Sequence, residues 1–262
     1  MEISLIITTY NWKEALHLSL QSARAQTLPP LEIVVADDGS GPDTAELVRE
    51  FSLSAPVPVI HSWQEDKGFR AARSRNQAIA KARGEYIILV DGDMLLEPHF
   101  IADHCAYARP GSFVQGSRAL LSKEITAKLL ASGSLQMPSG INGMGNRKNF
   151  LRSALFARIF STKSRRLTGI KSCNFAFWKQ DAVRVNGFNE DFIGWGREDS
   201  EFAARLLNDG ITRFNLRFHA IGYHLYHPMN TRERLEVNDD ILKNTIEEKR
   251  TWCERGISRH LS

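Results

Sequence analysis

The stretch Glu85–Met94, EYIILVDGDM, decides how the chain is read. Tyr86, Ile87, Ile88, Leu89 and Val90 form a short apolar run rich in β-branched residues, the pattern of a strand covered on both faces. The run stops abruptly at Asp91-Gly92-Asp93. Two carboxylates one residue apart at the end of a buried strand cannot both ionise at low cost unless a cation shares them. Hard oxygen donors there suit Mg²⁺ or Mn²⁺, with phosphate oxygens completing the shell. Gly92 has no β-carbon and lets another group approach the backbone closely. A polar Asp-Gly turn after a strand is the plain alternative, and these residues alone leave the two readings level.

Upstream of this stretch, residues 3–7 predict a first buried strand closing at Thr8-Thr9-Tyr10-Asn11, followed by a helix over 13–26. Pro29-Pro30 breaks the chain before a second strand, 32–36, which ends in Asp37-Asp38-Gly39-Ser40. A helix near 44–51 leads to a third strand near 57–62, and Gly68 opens a basic helix over 69–82 that feeds the Tyr86 strand. Strands alternating with helices at this spacing predict an α/β fold whose parallel sheet is built of right-handed βαβ units. The three polar strand ends then share one rim, the place where open α/β sheets bind ligands. No Gly-x-Gly-x-x-Gly follows the first strand and no Gly-Lys-Ser/Thr loop occurs, so a dinucleotide or P-loop site is disfavoured. Phosphates would instead meet the metal and the cations Lys67, Arg70, Arg73 and Arg75, where a helix N-terminus also favours anions. A solvated charged face is the competing explanation of those cations.

Composition narrows the classes further. At 262 residues with 42% hydrophobic content the chain can bury an ample core, and a net charge of +4 argues against a dedicated nucleic-acid binder. Cys105, Cys173 and Cys253 are far apart and odd in number, which disfavours a disulfide framework or a zinc site and suits a reducing compartment. The chain enters a short strand directly, and no apolar window is long enough to span a bilayer. The expected setting is cytoplasmic, at most peripheral on the inner membrane face.

Four stretches now stand in order: Thr8–Asn11 (TTYN), Val35–Ser40 (VADDGS), Gly68–Asn76 (GFRAARSRN) and Ala82–Asp93 (ARGEYIILVDGD). Together they resemble the successive landmarks of family 2 glycosyltransferases with the GT-A fold, over roughly the first hundred residues. The resemblance implies that Tyr10 stacks on a uracil, that Asp38 contacts it, and that Asp91 lies toward the ribose. It implies that Asp93 ligates a divalent metal, Mn²⁺ or Mg²⁺, bridging a diphosphate. Thr8, Lys67, Arg70, Arg75 and Gly92 complete the expected nucleotide-sugar set.

Later in the chain, Gly194–Ser200 (GWGREDS) resembles the Gly-Trp-Gly-x-Glu-Asp motif of β-1,4-galactosyltransferases and chondroitin-polymerase modules, supported by Asn174–Phe177 (NFAF) and Gly187–Phe192 (GFNEDF). That likeness implies that Trp195, Gly196 and Glu198 hold an acceptor sugar and that Asp199 is the catalytic base. Arg197 stands where the pattern often has a small residue, which bears on acceptor preference. Helix capping accounts for one of the acids but not for the glycines around Trp195. In Ala220–Pro228 (AIGYHLYHP) His224 matches the histidine that completes the metal site, with His227 as the alternative, whereas a lone strand histidine is usually structural.

The middle of the chain is less legible. Helices are expected over 98–108 and 150–160, a strand over 112–121, and a mobile loop over 132–149, which is rich in Gly, Ser and Asn. Residues 125–180 hold no acid and ten basic residues, so this segment either docks on anionic lipid or a phosphorylated, lipid-linked acceptor, or is a core helix with a solvated basic rim. Further on come strands at 174–178 and 214–226, short helices at 181–185 and 203–208, a turn at 187–190, and a charged terminal helix from 231 to which no chemistry is assigned.

The expectation is one GT-A domain, 1–262, with a nucleotide-sugar half (1–118) and an acceptor half (119–262). Its reaction would be inverting, metal-dependent transfer of a hexose from a UDP-sugar to a hydroxyl of a saccharide or lipid-linked saccharide. Assembly of a bacterial surface polysaccharide, lipopolysaccharide or capsule, rests on the resemblance alone. A nucleotidyltransferase would need a Gly-rich triphosphate loop that is missing, and a non-catalytic sugar-binding module would not need Asp91, Asp93, Glu198 and Asp199 together.

Overall fold

The computed structural model describes residues 1–136, 145–228 and 231–261. The elements of the first half run β1 (Ile3–Thr9), α1 (Lys13–Arg24), β2 (Glu32–Asp37), α2 (Pro42–Ser54), β3 (Val59–Trp63), α3 (Ala71–Lys81), β4 (Tyr86–Asp91), β5 (Met94–Leu96) and α4 (Phe100–Tyr107). Next come β6 (Ser112–Gln115), β7 (Arg118–Leu120), α5 (Lys123–Ser132), α6 (Ala154–Phe160), β8 (Thr162–Ser164) and β9 (Asn174–Trp178). The chain finishes with α7 (Lys179–Arg184), α8 (Glu198–Asn208), β10 (Thr212–Asn215), β11 (Gly222–His224) and α9 (Leu235–Glu247).

The main sheet has the order β3-β2-β1-β4-β9-β6-β10-β8. Its first four strands are parallel, with β9 inserted antiparallel between β4 and β6 and β8 antiparallel at the far edge. The alternation of β4 shows why a nearly continuous apolar run was needed. Tyr86, Ile88 and Val90 pack with Leu16 and Leu20 of α1, Val48 of α2 and Phe100 of α4. Ile87 and Leu89 point the other way, to Ala78 and Ile79 of α3 and Phe202 and Leu206 of α8. Helices therefore cover both faces, the arrangement that parallel strands require.

Two predicted strands are each divided. Residues 112–121 form β6 and β7, and 214–226 give β10 and β11, with β7 and β11 joining β5 in a separate three-stranded sheet. One side chain fixes both breaks: the Asn174 amide donates to Ser117 O (2.8 Å) and Ala220 O (2.9 Å), while its Oδ1 pairs with His104 Nε2 at 2.9 Å. Phe218 and Ala220 take positive φ between β10 and β11, which no continuous strand allows. The predicted helix over 150–160 begins later, at Ala154, capped by Ser153 Oγ. The helix placed at 203–208 starts earlier, at Glu198. The expected loop at 132–149 lies partly outside the described residues. Its flanks hold the end of α5 and a bridge between Leu120 and Gly145.

Candidate active site

Parallel pairing of β1 with β4 puts Thr8 level with Asp91, and β2 brings Asp37 level with Thr9. The three polar strand ends thus share one rim, as their spacing predicts. The group that approaches Gly92 is the neighbouring strand: its N–H donates to Thr8 O at 2.7 Å, and a β-carbon there would lie 3.0 Å from the same oxygen. Asp38 is buried, accepting from the Arg70 backbone N–H (2.8 Å) and from the Gln64 amide. Burial outweighs those bonds and pushes its carboxyl up to about 6. Tyr10 is half exposed, with its hydroxyl 3.0 Å from Asp66.

Arg75 joins the two halves of the site. Buried in the second turn of α3, it reaches Thr8 Oγ1 with Nε, Asp91 Oδ1 with Nη2 (3.4 Å) and Glu198 Oε1 with Nη1 (2.9 Å). The Phe188 ring lies 5.5 Å beneath its guanidinium. An ion pair between residues more than a hundred positions apart could not be read from sequence.

Met94, next to Asp93, begins β5, and β5 pairs antiparallel with β11 so that Met94 faces His224. The Leu225 N–H donates to the carbonyl of Asp93 at 2.9 Å and locks this register. Asp93 Oδ2 consequently stands 3.5 Å from His224 Nε2 and 3.3 Å from His227 Nε2. Donor atoms of the three side chains all fall within 4.8 Å of one another. Desolvation and then the Asp91 charge raise the Asp93 carboxyl, while desolvation and then the Arg118 charge drive His224 down to about 3. Asp93 Oδ1 is buried without a hydrogen-bond partner. A neutral imidazole beside an unsatisfied, desolvated carboxylate oxygen is a donor set that fits Mn²⁺ or Mg²⁺.

The Gly194–Ser200 motif folds as a tight loop onto the first turn of α8. Gly194, Gly196 and Arg197 all have positive φ, so the two glycines supply conformations other residues rarely adopt. Trp195 remains 39% exposed, with the Arg232 guanidinium 5.7 Å from its ring centre. Glu198 and Asp199 are the first two residues of α8, where unpaired backbone N–H groups favour carboxylates. Asp199 Oδ1 accepts from Ser200 N–H and Oγ, and its Oδ2 from Ser172 N–H at 3.2 Å. Burial, and then the Glu198 charge, push Asp199 up to about 7 against the pull of Arg75.

Not every predicted cation reaches this centre. Lys67 is exposed and pairs with Glu65 at 2.9 Å, and the Arg70 side chain donates to Phe69 O while its backbone serves Asp38. Other residues escaped the sequence reading. Gln64 holds Asp38, and Arg118 acts on Asp91, Asp93 and His224 from β7. Helix α9, to which no chemistry was assigned, clamps the Trp195 loop through Asn238, which donates to Gly196 O at 2.9 Å, and through an Arg197–Asp239 ion pair. Charge alone could not single these out, because surface charges are common and their partners lie far off in sequence.

With the geometry in hand, similarities to known proteins become informative. The family model described as Glycosyl transferase family 2 matches residues 4–172, more than half the chain, and that of the N-terminal domain of galactosyltransferase matches 156–228. Chondroitin synthase of Escherichia coli is 26% identical over 230 residues, covering 79% of this chain and 32% of the relative. The chain thus spans about a third of that synthase, and 28% of the hyaluronan synthase of Pasteurella multocida. Among solved structures, residues 1–349 of S. aureus TarS in complex with UDP superpose with a TM-score of 0.62 at 19% identity, covering 92% of this chain and 64% of that one. A mannosyltransferase from Pyrobaculum calidifontis in complex with GDP-Man and Mn²⁺ gives 0.59 at 20% identity, covering 91% and 60%. The mixed, mostly parallel sheet between helices is the GT-A fold, and the chain belongs to the family 2 glycosyltransferases.

Proposed function

We propose that this protein is an inverting glycosyltransferase that moves a hexose from a UDP-sugar to a saccharide hydroxyl. The observation that carries the reading is Arg75, which couples the Asp91 end of the donor rim to the Glu198-Asp199 turn. Two carboxylate pairs across one buried guanidinium suit a reaction with a donor on one side and an acceptor on the other.

In this reading the exposed ring of Tyr10 stacks on the uracil and Asp38 accepts from its N–H. Thr8 and Asp91 line the ribose and diphosphate, with Arg75 fixing the Asp91 rotamer. Asp93 and His224, with His227 beside them, would hold Mn²⁺ or Mg²⁺, and bound there the cation would supply charge stabilisation for the departing diphosphate. Trp195 presents its apolar face to the acceptor ring and Glu198 orients one of its hydroxyls. Asp199 accepts the proton of the attacking hydroxyl at a carboxylate oxygen, held in place by Ser172 and Ser200. The new C–O bond forms opposite the breaking bond to the diphosphate, which inverts the anomeric centre. A base near neutrality on the acceptor side supports this division of labour. The nucleotide half is then 1–118 and the acceptor half 119–262, acting as one catalytic domain.

The acceptor is proposed to be a growing bacterial surface polysaccharide, lipopolysaccharide or capsule, free or lipid-linked, handled at the cytoplasmic face of the inner membrane. Among the described residues no helix is long and apolar enough to cross a membrane. Helix α6 exposes Leu155 (64%) and Ile159 (58%) beside Arg158 and Lys163, a surface suited to peripheral contact with anionic lipid. A screen for UDP release over a panel of UDP-sugars with Mn²⁺, repeated with chelator, tests the whole reading. No turnover with any UDP-sugar rejects the donor class, and turnover indifferent to chelation rejects the metal.

A further inference from the structure

Between β6, β7, α6 and β10 lies a cavity of about 1100 Å³ that none of the motifs identifies. Among the described residues six cations line it, Arg118, Arg147, Lys148, Lys171, Arg213 and Arg217, and no carboxylate does. None of the six is ion-paired to an acid among the described residues. This differs from an ordinary basic surface, where Lys and Arg are interspersed with acids. Arg213 is buried at 6% exposure, yet only one of its guanidinium nitrogens, Nη1, is bonded, to Arg166 O and Thr168 O. Its Nε is a buried donor without a partner, and burial lowers its affinity for the proton. Six guanidinium and ammonium groups around one cavity, with no carboxylate among them to neutralise their charge, suit an anionic occupant.

Position identifies whose anion. Lys171 and Cys173 line the cavity and flank Ser172, whose N–H holds Asp199. The cavity therefore runs along the segment that supplies the backbone donor to the proposed base, with Arg118 between it and the Asp91-Asp93 end, and neither Tyr10 nor Asp38 lines it. Phe156, Phe160 and Phe218 form part of its wall as a cluster with centroid separations of 5.4 to 5.9 Å, giving apolar surface beside the charge, as a sugar ring carrying an anionic group requires.

We propose that this cavity is an acceptor subsite for a saccharide bearing a negative group, a carboxylate or a phosphate, one residue back from the attacking hydroxyl. The proposal rests on the transferase reading above and specifies its acceptor. The test is calorimetric titration of the protein, saturated with UDP and Mn²⁺, with a uronic-acid-terminated disaccharide, a phosphate-bearing disaccharide and the neutral parent of each. At least one anionic probe is expected to bind ten-fold or more tightly than its parent, with a preference that falls as salt is raised; which probe does so identifies the group. The double substitution Lys148→Gln with Arg217→Gln, at two exposed positions that leave the core alone, is expected to remove that preference while neutral probes bind as before. Equal binding of anionic and neutral probes, or a preference that survives the double substitution, overturns the subsite. Slow UDP release from UDP-sugars by the unmodified protein without acceptor is read in parallel: its absence across the panel counts against the transferase reading, and its presence beside equal probe binding counts against the subsite alone.

Discussion

Asp199 sits at the second position of α8 with both carboxylate oxygens accepting from backbone N–H groups, so Asp199→Asn keeps the size of the side chain and removes the proton acceptor, while setting one amide N–H against a backbone N–H that the carboxylate had accepted from. Turnover should fall by about 10²- to 10⁴-fold, the usual contribution of a general base, while calorimetry should show unchanged UDP affinity. A sugar-binding module would show no defect. With this carboxyl raised to about 7, kcat should climb as pH passes through neutrality, and that acid limb should vanish in the variant. Stability follows the opposite sign. The folded state keeps a proton that the unfolded chain, with an ordinary aspartate value of 3.8, releases, so the protein loses stability as pH rises from about 4 to about 7. The Tm of Asp199→Asn minus that of the unsubstituted protein should therefore rise across that window in thermal scans, and a constant difference would contradict the assignment. Asp91, Asp93 and Asp199 were legible as residues because adjacent acids after a buried strand, or beside a Gly-Trp-Gly turn, demand an explanation. Their partner Arg75 was legible only as one of several basic residues.

At the scale of elements, the parallel half of the sheet followed directly from alternating apolar runs and turn residues, because each βαβ unit buries its own strand. The second half did not. Residues 112–121 and 214–226 look continuous, yet both change sheets at the Asn174 side chain. That exchange creates the β5-β11 pair that sets His224 beside Asp93. Asn174→Ala strands a buried and a partly buried carbonyl acceptor and the His104 partner, at about 1–3 kcal/mol for each buried group left unsatisfied. Thermal unfolding should register a drop in Tm, and titration should show weakened Mn²⁺ binding although no proposed ligand has been touched. Helix α9 acts similarly on the other side. It is tied to α8 by Thr245 on Glu201 (3.1 Å) and to the Trp195 loop by Asn238. Asn238→Ala should raise the acceptor KM with the donor KM unchanged; an equal rise in both would mean a general loss of fold.

Across the whole molecule, a sheet rim gathers Thr8, Asp38 and Asp91 from the ends of β1, β2 and β4, and the segment after β9 brings Glu198 and Asp199, proposed to serve the acceptor, up to it. Incubation with chelator should abolish UDP release, and restoring Mn²⁺ or Mg²⁺ should recover it. The exposed apolar face of α6 predicts flotation with liposomes of anionic lipid at low salt, reversed by high salt; absence of binding would leave the acceptor, not the membrane, as the partner of the basic segment. The sequence by itself determined the buried strand, its terminal acids, the order of the βαβ units and the GT-A family, since all of these are local patterns of burial and turn chemistry. Only the tertiary structure showed that both His224 and His227 stand beside Asp93, which arginine bridges Asp91 and Glu198, and that six scattered cations line one cavity. Those are contacts between residues tens to more than a hundred positions apart, fixed by strand register and by one asparagine at a sheet crossing, and a one-dimensional pattern carries no term for either.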